Sequence, residues 1–196
     1  SLFRRIANAG AAILHYFVSA CCKADVLPMN IRLLVPADAA PYRALMLDAY
    51  EAHPEAFTSS ASERAALPLE WWEARLAERK DGGESVWGAF VAERLVGVAG
   101  LNRESREKIA HKATLFGMYV VPAFRGRGIA DALVDALLLH ARSLAGLSVI
   151  QLTVSEGNRS ARALYERHGF AAFGVEPLAV RVGEKYVAKV HMWCRL

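Results

Sequence analysis

A turn of two glycines and two arginines within residues 120–130 constrains this chain more than any other feature. The stretch, Val-Val-Pro-Ala-Phe-Arg-Gly-Arg-Gly-Ile-Ala, lies between a predicted strand and a predicted helix. Gly126 and Gly128 permit positive φ and a close approach of the backbone to a ligand. The free N–H groups at a helix start attract anions, and Arg125 and Arg127 add positive charge there. The turn is therefore predicted to bind a phosphate group.

Two common phosphate-binding loops do not fit this turn. A P-loop ends in Gly-Lys-Ser/Thr, and that sequence does not occur here. A dinucleotide fingerprint needs a third small residue where Asp131 stands and an acidic residue about 20 positions later. Glu156 lies further along the chain than that. A different kind of phosphate-bearing ligand is therefore indicated.

The apolar residues from residue 30 onward alternate between strand and helix periods. Strands are predicted at residues 30–35, 86–92, 95–101, 113–121, 149–154, 170–176 and 185–193. Helices are predicted from Asp38 to about Ala52, Leu69 to Lys80, about Gly128 to Ala145 and Asn158 to His168. This order predicts an α/β chain with an antiparallel front half and one parallel crossover behind it.

The spacing Arg-x-x-Gly-x-Ala over residues 125–130, preceded by Val-x-Pro, resembles the acyl-CoA pyrophosphate loop of the GNAT N-acetyltransferase superfamily. A second motif, about 30 residues later, is similar to the last helix of the same superfamily: Asn158-x-x-Ala161-x-x-x-Tyr165-x-x-x-Gly169-Phe170. Residue-level matching is confined to residues 118–170. The resemblance implies an α/β fold of the α+β type, with a mixed, mostly antiparallel central sheet, helices on both faces and a splayed pair of fourth and fifth strands.

The resemblance also implies a site for acetyl-CoA as co-substrate, with no metal ion. The backbone groups that would pair with the pantetheine amides, as an added strand pairs with a sheet edge, are those of Met118, Tyr119 and Val120. The residues implied to hold the pyrophosphate are Arg125, Gly126, Arg127, Gly128, Ile129 and Ala130. Asn158 would contact the cofactor arm, and Tyr165 would be the general acid near the sulfur.

Each of these residues also has a simpler structural interpretation. Asn158 suits a helix N-cap, and Gly117 suits a β-bulge. Tyr165 shares a helical spacing typical of a core stripe with Ala161, Leu164 and His168. Because Asn158 and Tyr165 are seven residues apart, they lie about 10 Å from each other along one helix, so one extended arm reaches both. The two motifs together favour the functional interpretation.

The general base is not evident from the sequence. Some members of the superfamily carry a glutamate five residues before the asparagine of the second motif, and Thr153 occupies that position here. Threonine does not act as a base near neutral pH. The alternative candidates are charged or imidazole side chains of the loops: Glu51, Glu55, Glu104, Glu156, His53 and His111. Without the glutamate the site favours amines of low pKa, because an α-amine is about one part in seven neutral at pH 7 and a lysine amine about one in 2,500.

We therefore predict an N-acetyltransferase that moves an acetyl group from acetyl-CoA to a primary amine of a small molecule or a peptide N-terminus. The alternative is a catalytically silent acyl-CoA-binding regulatory module. The net charge is +4, but basic and acidic residues are interspersed, so no nucleic-acid partner is expected. A membrane partner is not expected either, and the chain is predicted to be a monomer or homodimer.

Residues 1–28 differ in composition from the rest of the chain, since Ile6–Cys22 contains no Asp, Glu, Lys or Arg. Apolar residues recur there at helical spacing. The segment is interpreted as an N-terminal extension: a packed helix, a membrane tether or a stretch upstream of a natural start at Met29. The acetyltransferase domain is predicted to span residues 29–196. The chain has 3 cysteines, an odd number without a CxxC motif, which predicts a reducing, cytoplasmic location.

Overall fold

The computed structural model describes residues 28–77 and 83–196, which form one sheet of seven strands flanked by helices. In chain order the strands are β1 (Met29–Leu33), β2 (Glu84–Val91), β3 (Arg94–Arg103), β4 (Lys112–Val120), β5 (Val149–Ser155), β6 (Ala171–Val182) and β7 (Lys185–Arg195). Their spatial order is β1-β2-β3-β4-β5-β7-β6. Neighbouring strands are antiparallel except β4 and β5, as the sequence predicted.

The described helices are α1 (Ala39–Ala52), α2 (Ala61–Ala65), α3 (Leu69–Leu76), α4 (Ile129–Ser143) and α5 (Arg159–Arg167). Helix α2 was not predicted, although its start carries a capping box. The Ser60 hydroxyl accepts a hydrogen bond from the Glu63 N–H (3.1 Å), and the Glu63 carboxylate accepts one from the Ser60 N–H (2.8 Å). Helix α3 ends at Leu76 and not near Lys80, because Ala77 has an extended backbone.

Helices cover both faces of the sheet, and each face has its own core. Helices α4 and α5 pack on one face, where Leu133 and Leu137 meet residues such as Ile150 of β5. Helices α1 and α3 pack on the other face, where Trp72 is 1% exposed. Strand β3 alternates between the two cores and is buried by both. A strand covered on both faces is apolar throughout, which explains the continuous run of small and branched residues in β3.

Strands β4 and β5 separate soon after they meet. They pair in parallel only between Lys112–Thr114 and Val149–Gln151. Beyond Thr114, the edge of β4 that faces β5 is unpaired within the described residues. Gly117 has φ +63°, and the pairing of β3 with β4 shifts by one residue there, so this glycine marks a β-bulge. The predicted splay of the fourth and fifth strands is confirmed.

Other predictions differ from the structure at their ends or lie outside it. Strand β6 continues to Val182, beyond the predicted end at residue 176, because it pairs with β7 up to their connecting turn. The interpretation of residues 1–28 as an extension concerns residues that, up to residue 27, lie outside the described part of the chain. Among the helices of residues 28–77 and 83–196, none is long and apolar enough to cross a membrane.

Candidate active site

The loop between β4 and α4 has an open concave backbone. Gly126 and Gly128 both have φ +75°, and a β-carbon at either position would meet no atom within 4 Å. The first backbone bond of the helix runs from the Ala132 N–H to the Gly128 carbonyl, over 3.0 Å. The N–H groups of residues 126–131 donate to no other described residue. Free N–H donors at a helix start attract anions, so this loop remains the predicted place for a diphosphate.

The two arginines of this loop have different partners. The Arg125 Nε donates to the Val120 carbonyl (2.9 Å), and its terminal nitrogen lies 3.2 Å from His53 Nε2. Because a guanidinium only donates, His53 Nε2 accepts this bond. The Arg127 guanidinium lies over the ring of Phe124, 5.2 Å from its centre, and the residue is exposed. Arg125 therefore joins the loop to the end of α1, while Arg127 remains at the surface.

The residues predicted to hold the pantetheine arm lie beside the gap between β4 and β5. Tyr119 and Val120 pair with Val98 and Gly97 of β3, on the other side of β4. Met118 is partly buried against the α4/α5 core. The opposite edge of this part of β4 has no strand beside it, so it is the place where an extended ligand would add.

Asn158 is the N-cap of α5. Its side-chain oxygen accepts a hydrogen bond of 3.1 Å from the Ala161 N–H. The simpler interpretation of this residue is therefore confirmed. The side-chain amide nitrogen makes no hydrogen bond with the described residues. Its N–H groups can therefore donate to a ligand carbonyl.

Tyr165 has its ring in the α4/α5 core. The residue is 5% exposed, and its ring meets that of Phe170 edge-on with a 5.7 Å centre separation. Burial raises the pKa of Tyr165, so its hydroxyl keeps its proton at neutral pH. Within the described residues no group hydrogen-bonds to this hydroxyl. Tyr165 thus has a ring that packs in the core and a hydroxyl that makes no hydrogen bond with the described residues.

Thr153 faces the side of the sheet on which α1 lies. Its neighbours Leu152 and Val154 point into the α4/α5 core, so Thr153 points the opposite way, and it is exposed. We call the sheet surface that carries Thr153 the acceptor face. Glu104 and His111, two predicted candidates for the base, flank the start of β4, about 26 Å from the far end of that strand. They are too distant to serve the predicted site.

One histidine of the acceptor face was not predicted from the sequence. His191 of β7 lies directly opposite Thr153 of β5. Its Nε2 is 2.9 Å from a carboxylate oxygen of Glu176 on β6, and its ring centre is 5.8 Å from that of Phe173. Side chains alternate along β7, and Val190 and Met192 are core residues. His191, which lies between them, is therefore on the opposite, polar face. The sequence did not show which residue of β5 lies opposite.

A buried lysine was also missed. Lys189 of β7 is 3% exposed and lies opposite Ser155 of β5. Its Nζ donates to the Ser155 hydroxyl (2.8 Å) and to the backbone carbonyls of Glu55 (3.0 Å) and Ala56 (2.8 Å). The Ser155 hydroxyl donates to the same Glu55 carbonyl over 2.6 Å. These bonds fix the loop after α1 against the end of β5 and the interior of β7.

The chain is similar in sequence to known proteins. Residues 44–170 match the family described as the Acetyltransferase (GNAT) family. A mycothiol acetyltransferase of Salinispora tropica is 31% identical over 135 residues, which are 69% of this chain and 42% of that protein. An uncharacterized Mycobacterium leprae protein is 37% identical over 90 residues, which are 46% of this chain and 24% of that protein. The matched segments thus span less than half the length of these two curated relatives.

Solved structures have the same fold over most of the chain. A GNAT-family acetyltransferase from Streptococcus pneumoniae has a TM-score of 0.75 and 23% identity, covering 86% of this chain and 100% of that one. A ribosomal-protein-alanine N-acetyltransferase from Brucella melitensis has a TM-score of 0.70 and 25% identity, covering 85% and 99%. A Salmonella typhimurium protein solved with its cofactor acetyl-CoA has a TM-score of 0.69 and 21% identity, covering 86% and 94%. Since the family match includes well over half of its residues, this chain belongs to the GNAT family of acetyltransferases.

Proposed function

We propose that this chain transfers the acetyl group of acetyl-CoA to a primary amine, of a small molecule or a peptide N-terminus, by direct attack. The observation that carries the proposal is the position of the open glycine loop at the end of the unpaired β4 edge. A diphosphate and an extended amide-containing arm are both parts of coenzyme A. The loop and the edge offer one binding surface to each, in a continuous path.

The predicted residues divide this work among them. The N–H groups of residues 126–130 would bind the pyrophosphate, and Arg125 and Arg127 would add charge on either side. The backbone of residues 118–120 would pair with the pantetheine amides. The Asn158 side-chain amide would donate to the same arm. The names of two relatives, a mycothiol acetyltransferase and a ribosomal-protein-alanine N-acetyltransferase, support acetyl transfer and leave both classes of acceptor open.

The chemical step follows from where the proton donors lie. The amine nitrogen attacks the thioester carbonyl, a C–N bond forms, and backbone N–H groups of the unpaired β4 edge stabilise the charge on the oxygen. The C–S bond then breaks. Tyr165, whose phenol is protonated at neutral pH, gives its proton to the departing thiolate. The attacking nitrogen loses one proton to a base of the site, and the products are an amide and free coenzyme A.

Three further predictions from the sequence are part of this proposal. We propose that the acetyltransferase domain spans residues 29–196, that the protein works in the cytoplasm, and that it is a monomer or homodimer. Fractionation of cells checks the location, and size measurement in solution checks the oligomeric state. A purified chain shortened to residues 29–196 checks the first, through its acetyltransferase activity.

The proposed function is tested by offering the full chain acetyl-CoA together with a panel of peptides and small amines. Release of free thiol is followed, and the acetylated product is identified by mass. We expect turnover with at least one primary amine and none with Gly128→Pro, which loses an N–H and cannot keep φ at +75°. Binding of acetyl-CoA by calorimetry without any thiol release would instead identify a silent binding module.

A further inference from the structure

We propose that His191, oriented by Glu176, is the catalytic base that takes the proton from the acceptor amine. This inference rests on the proposed function and names a residue of the same site. Thr153 leaves the acceptor face of β5 without a base, and the structure brings His191 to the neighbouring position on the next strand.

The cross-strand pair sets how close the imidazole lies to the gap. Residues directly opposite in an antiparallel pair have β-carbons about 4.5–5.5 Å apart. Thr153 is exposed and lies two residues beyond Gln151, the last residue of β5 that pairs with β4. His191 is therefore one strand away from the place where β4 and β5 open. An imidazole there reaches an amine at the gap directly or through one water held by the Thr153 hydroxyl.

The Glu176 contact determines which nitrogen of His191 is basic. A carboxylate only accepts hydrogen bonds, so His191 Nε2 carries the hydrogen that spans the 2.9 Å to Glu176. The neutral ring then has its lone pair on Nδ1. The carboxylate also stabilises the imidazolium formed when Nδ1 takes a proton. Phe173 packs against the ring and limits its rotation.

His53 and Lys189, the other basic side chains near this face, are less suitable as the base. His53 Nε2 already accepts a hydrogen bond from Arg125. Lys189, the cationic neighbour of His191 on the same face of β7, directs its ammonium group to the loop carbonyls and to Ser155. Among the acceptor-face residues of β5 and β7, His191 alone combines an imidazole lone pair, on Nδ1, with a carboxylate partner that orients the ring.

The amine lone pair forms the C–N bond with the thioester carbonyl carbon, and the proton leaving that nitrogen goes to His191 Nδ1. The C–S bond breaks, and the thiolate receives the proton of Tyr165. One proton is therefore taken up on the acceptor face and one is released on the cofactor side. Exchange with solvent returns both residues to their starting states.

The test compares His191→Gln with a matched control, His111→Gln, whose histidine is exposed and lies at the opposite end of β4. With the best amine of the panel, we expect kcat of His191→Gln to fall about 100-fold, because general base catalysis contributes at least that much. The affinity for acetyl-CoA should stay within about threefold, and His111→Gln should match wild type in both. Added imidazole should restore part of the activity of His191→Ala, and Glu176→Gln should lose about tenfold in kcat.

Three outcomes decide the inference. The expected loss with imidazole rescue supports it, provided that the melting temperatures of the variants match wild type. If the wild-type chain turns over and kcat of His191→Gln is within threefold of the wild-type value, the inference is overturned. The proposed function then stands. Absence of thiol release by the wild-type chain with every amine overturns the proposed function and this inference with it. If His191→Gln is unstable, the imidazole response of His191→Ala decides, and a lack of rescue counts against the base.

Discussion

Lys189 and Ser155 face each other across β7 and β5, and the lysine Nζ donates to the serine hydroxyl over 2.8 Å. With the two loop carbonyls, at Glu55 and Ala56, all three ammonium protons have acceptors. Burial lowers the pKa of Lys189, a cost of desolvation that these hydrogen bonds offset. The loop after α1, which borders the acceptor face, is thus held by one buried cation.

Lys189→Met should loosen this loop, because it removes the ammonium group and leaves the volume of the buried side chain nearly unchanged. We expect a loss of about 2 kcal/mol in the free energy of unfolding, because buried carbonyls lose their donor. KM for the amine should rise several-fold, and the affinity for acetyl-CoA should hold. Steady-state kinetics and denaturant unfolding measure these changes. Lys185→Met, at an exposed position of the same strand, is the control and should change neither.

Gly126→Ala should weaken acetyl-CoA binding beyond the effect of backbone strain. The same change at Gly183, in the turn between β6 and β7, imposes a similar strain, since φ is +75° at Gly126 and +58° at Gly183. Both variants should lose about 1–2 kcal/mol of stability. Calorimetry should show at least tenfold weaker acetyl-CoA binding for Gly126→Ala alone. Equal affinities in the two variants would place the pyrophosphate elsewhere.

Tyr165→Phe should separate the two roles of that residue. The phenylalanine ring keeps the packing against Phe170, so the melting temperature and the affinity for acetyl-CoA should change little. We expect kcat to fall about 100-fold, because the thiolate loses its proton donor. A kcat within threefold of wild type, with the chemical step limiting turnover, would leave Tyr165 as a core residue only.

The sequence could predict what depends on local chemistry. Gly128 at a helix start and Asn158 as an N-cap are local features. The structure has Gly126 and Gly128 at positive φ and Asn158 as the cap of α5, where the motifs predicted them. The splay and the sheet type followed from the resemblance. The positions of His191 and Lys189 opposite Thr153 and Ser155 could not be predicted, because they depend on how β7 aligns with β5. Strand alignment is a non-local property, and a shift of one residue would turn both side chains into the core.

Gly100→Val should destabilise the sheet through one aromatic ring. A β-carbon at Gly100 would lie 2.3 Å from the ring of Phe116, the residue opposite it on β4. Overpacking of this kind costs about 1–3 kcal/mol, and thermal unfolding should shift down by several degrees. Gly174→Ala, where a β-carbon meets no atom within 4 Å, is the control and should unfold near the wild-type temperature.

Asp38→Asn should change how stability depends on pH. The Arg32 guanidinium donates two hydrogen bonds to the Asp38 carboxylate (2.7 and 2.8 Å) and holds its pKa below the usual value. A carboxyl whose pKa is lower in the folded state stabilises above its unfolded pKa, about 3.9, and loses that contribution as the pH falls through the folded value. We expect wild type to exceed Asp38→Asn by about 1 kcal/mol at pH 7, since Arg32 is partly exposed. The stabilities of the two proteins should converge as the pH falls through the folded-state pKa of Asp38, and a constant difference would contradict the pairing.

The three-residue contact between β4 and β5 also affects how long the folded protein survives. It is the only strand pairing that joins β1–β4 to β5–β7 in the described part of the chain. Openings of the sheet should therefore begin at this joint and expose backbone amides to deuterium exchange and to proteases. A ligand that binds only the closed form adds about 2.7 kcal/mol at 100 times its dissociation constant. The turnover of this protein in a cell should then follow the supply of its ligand, with starved cells degrading it faster.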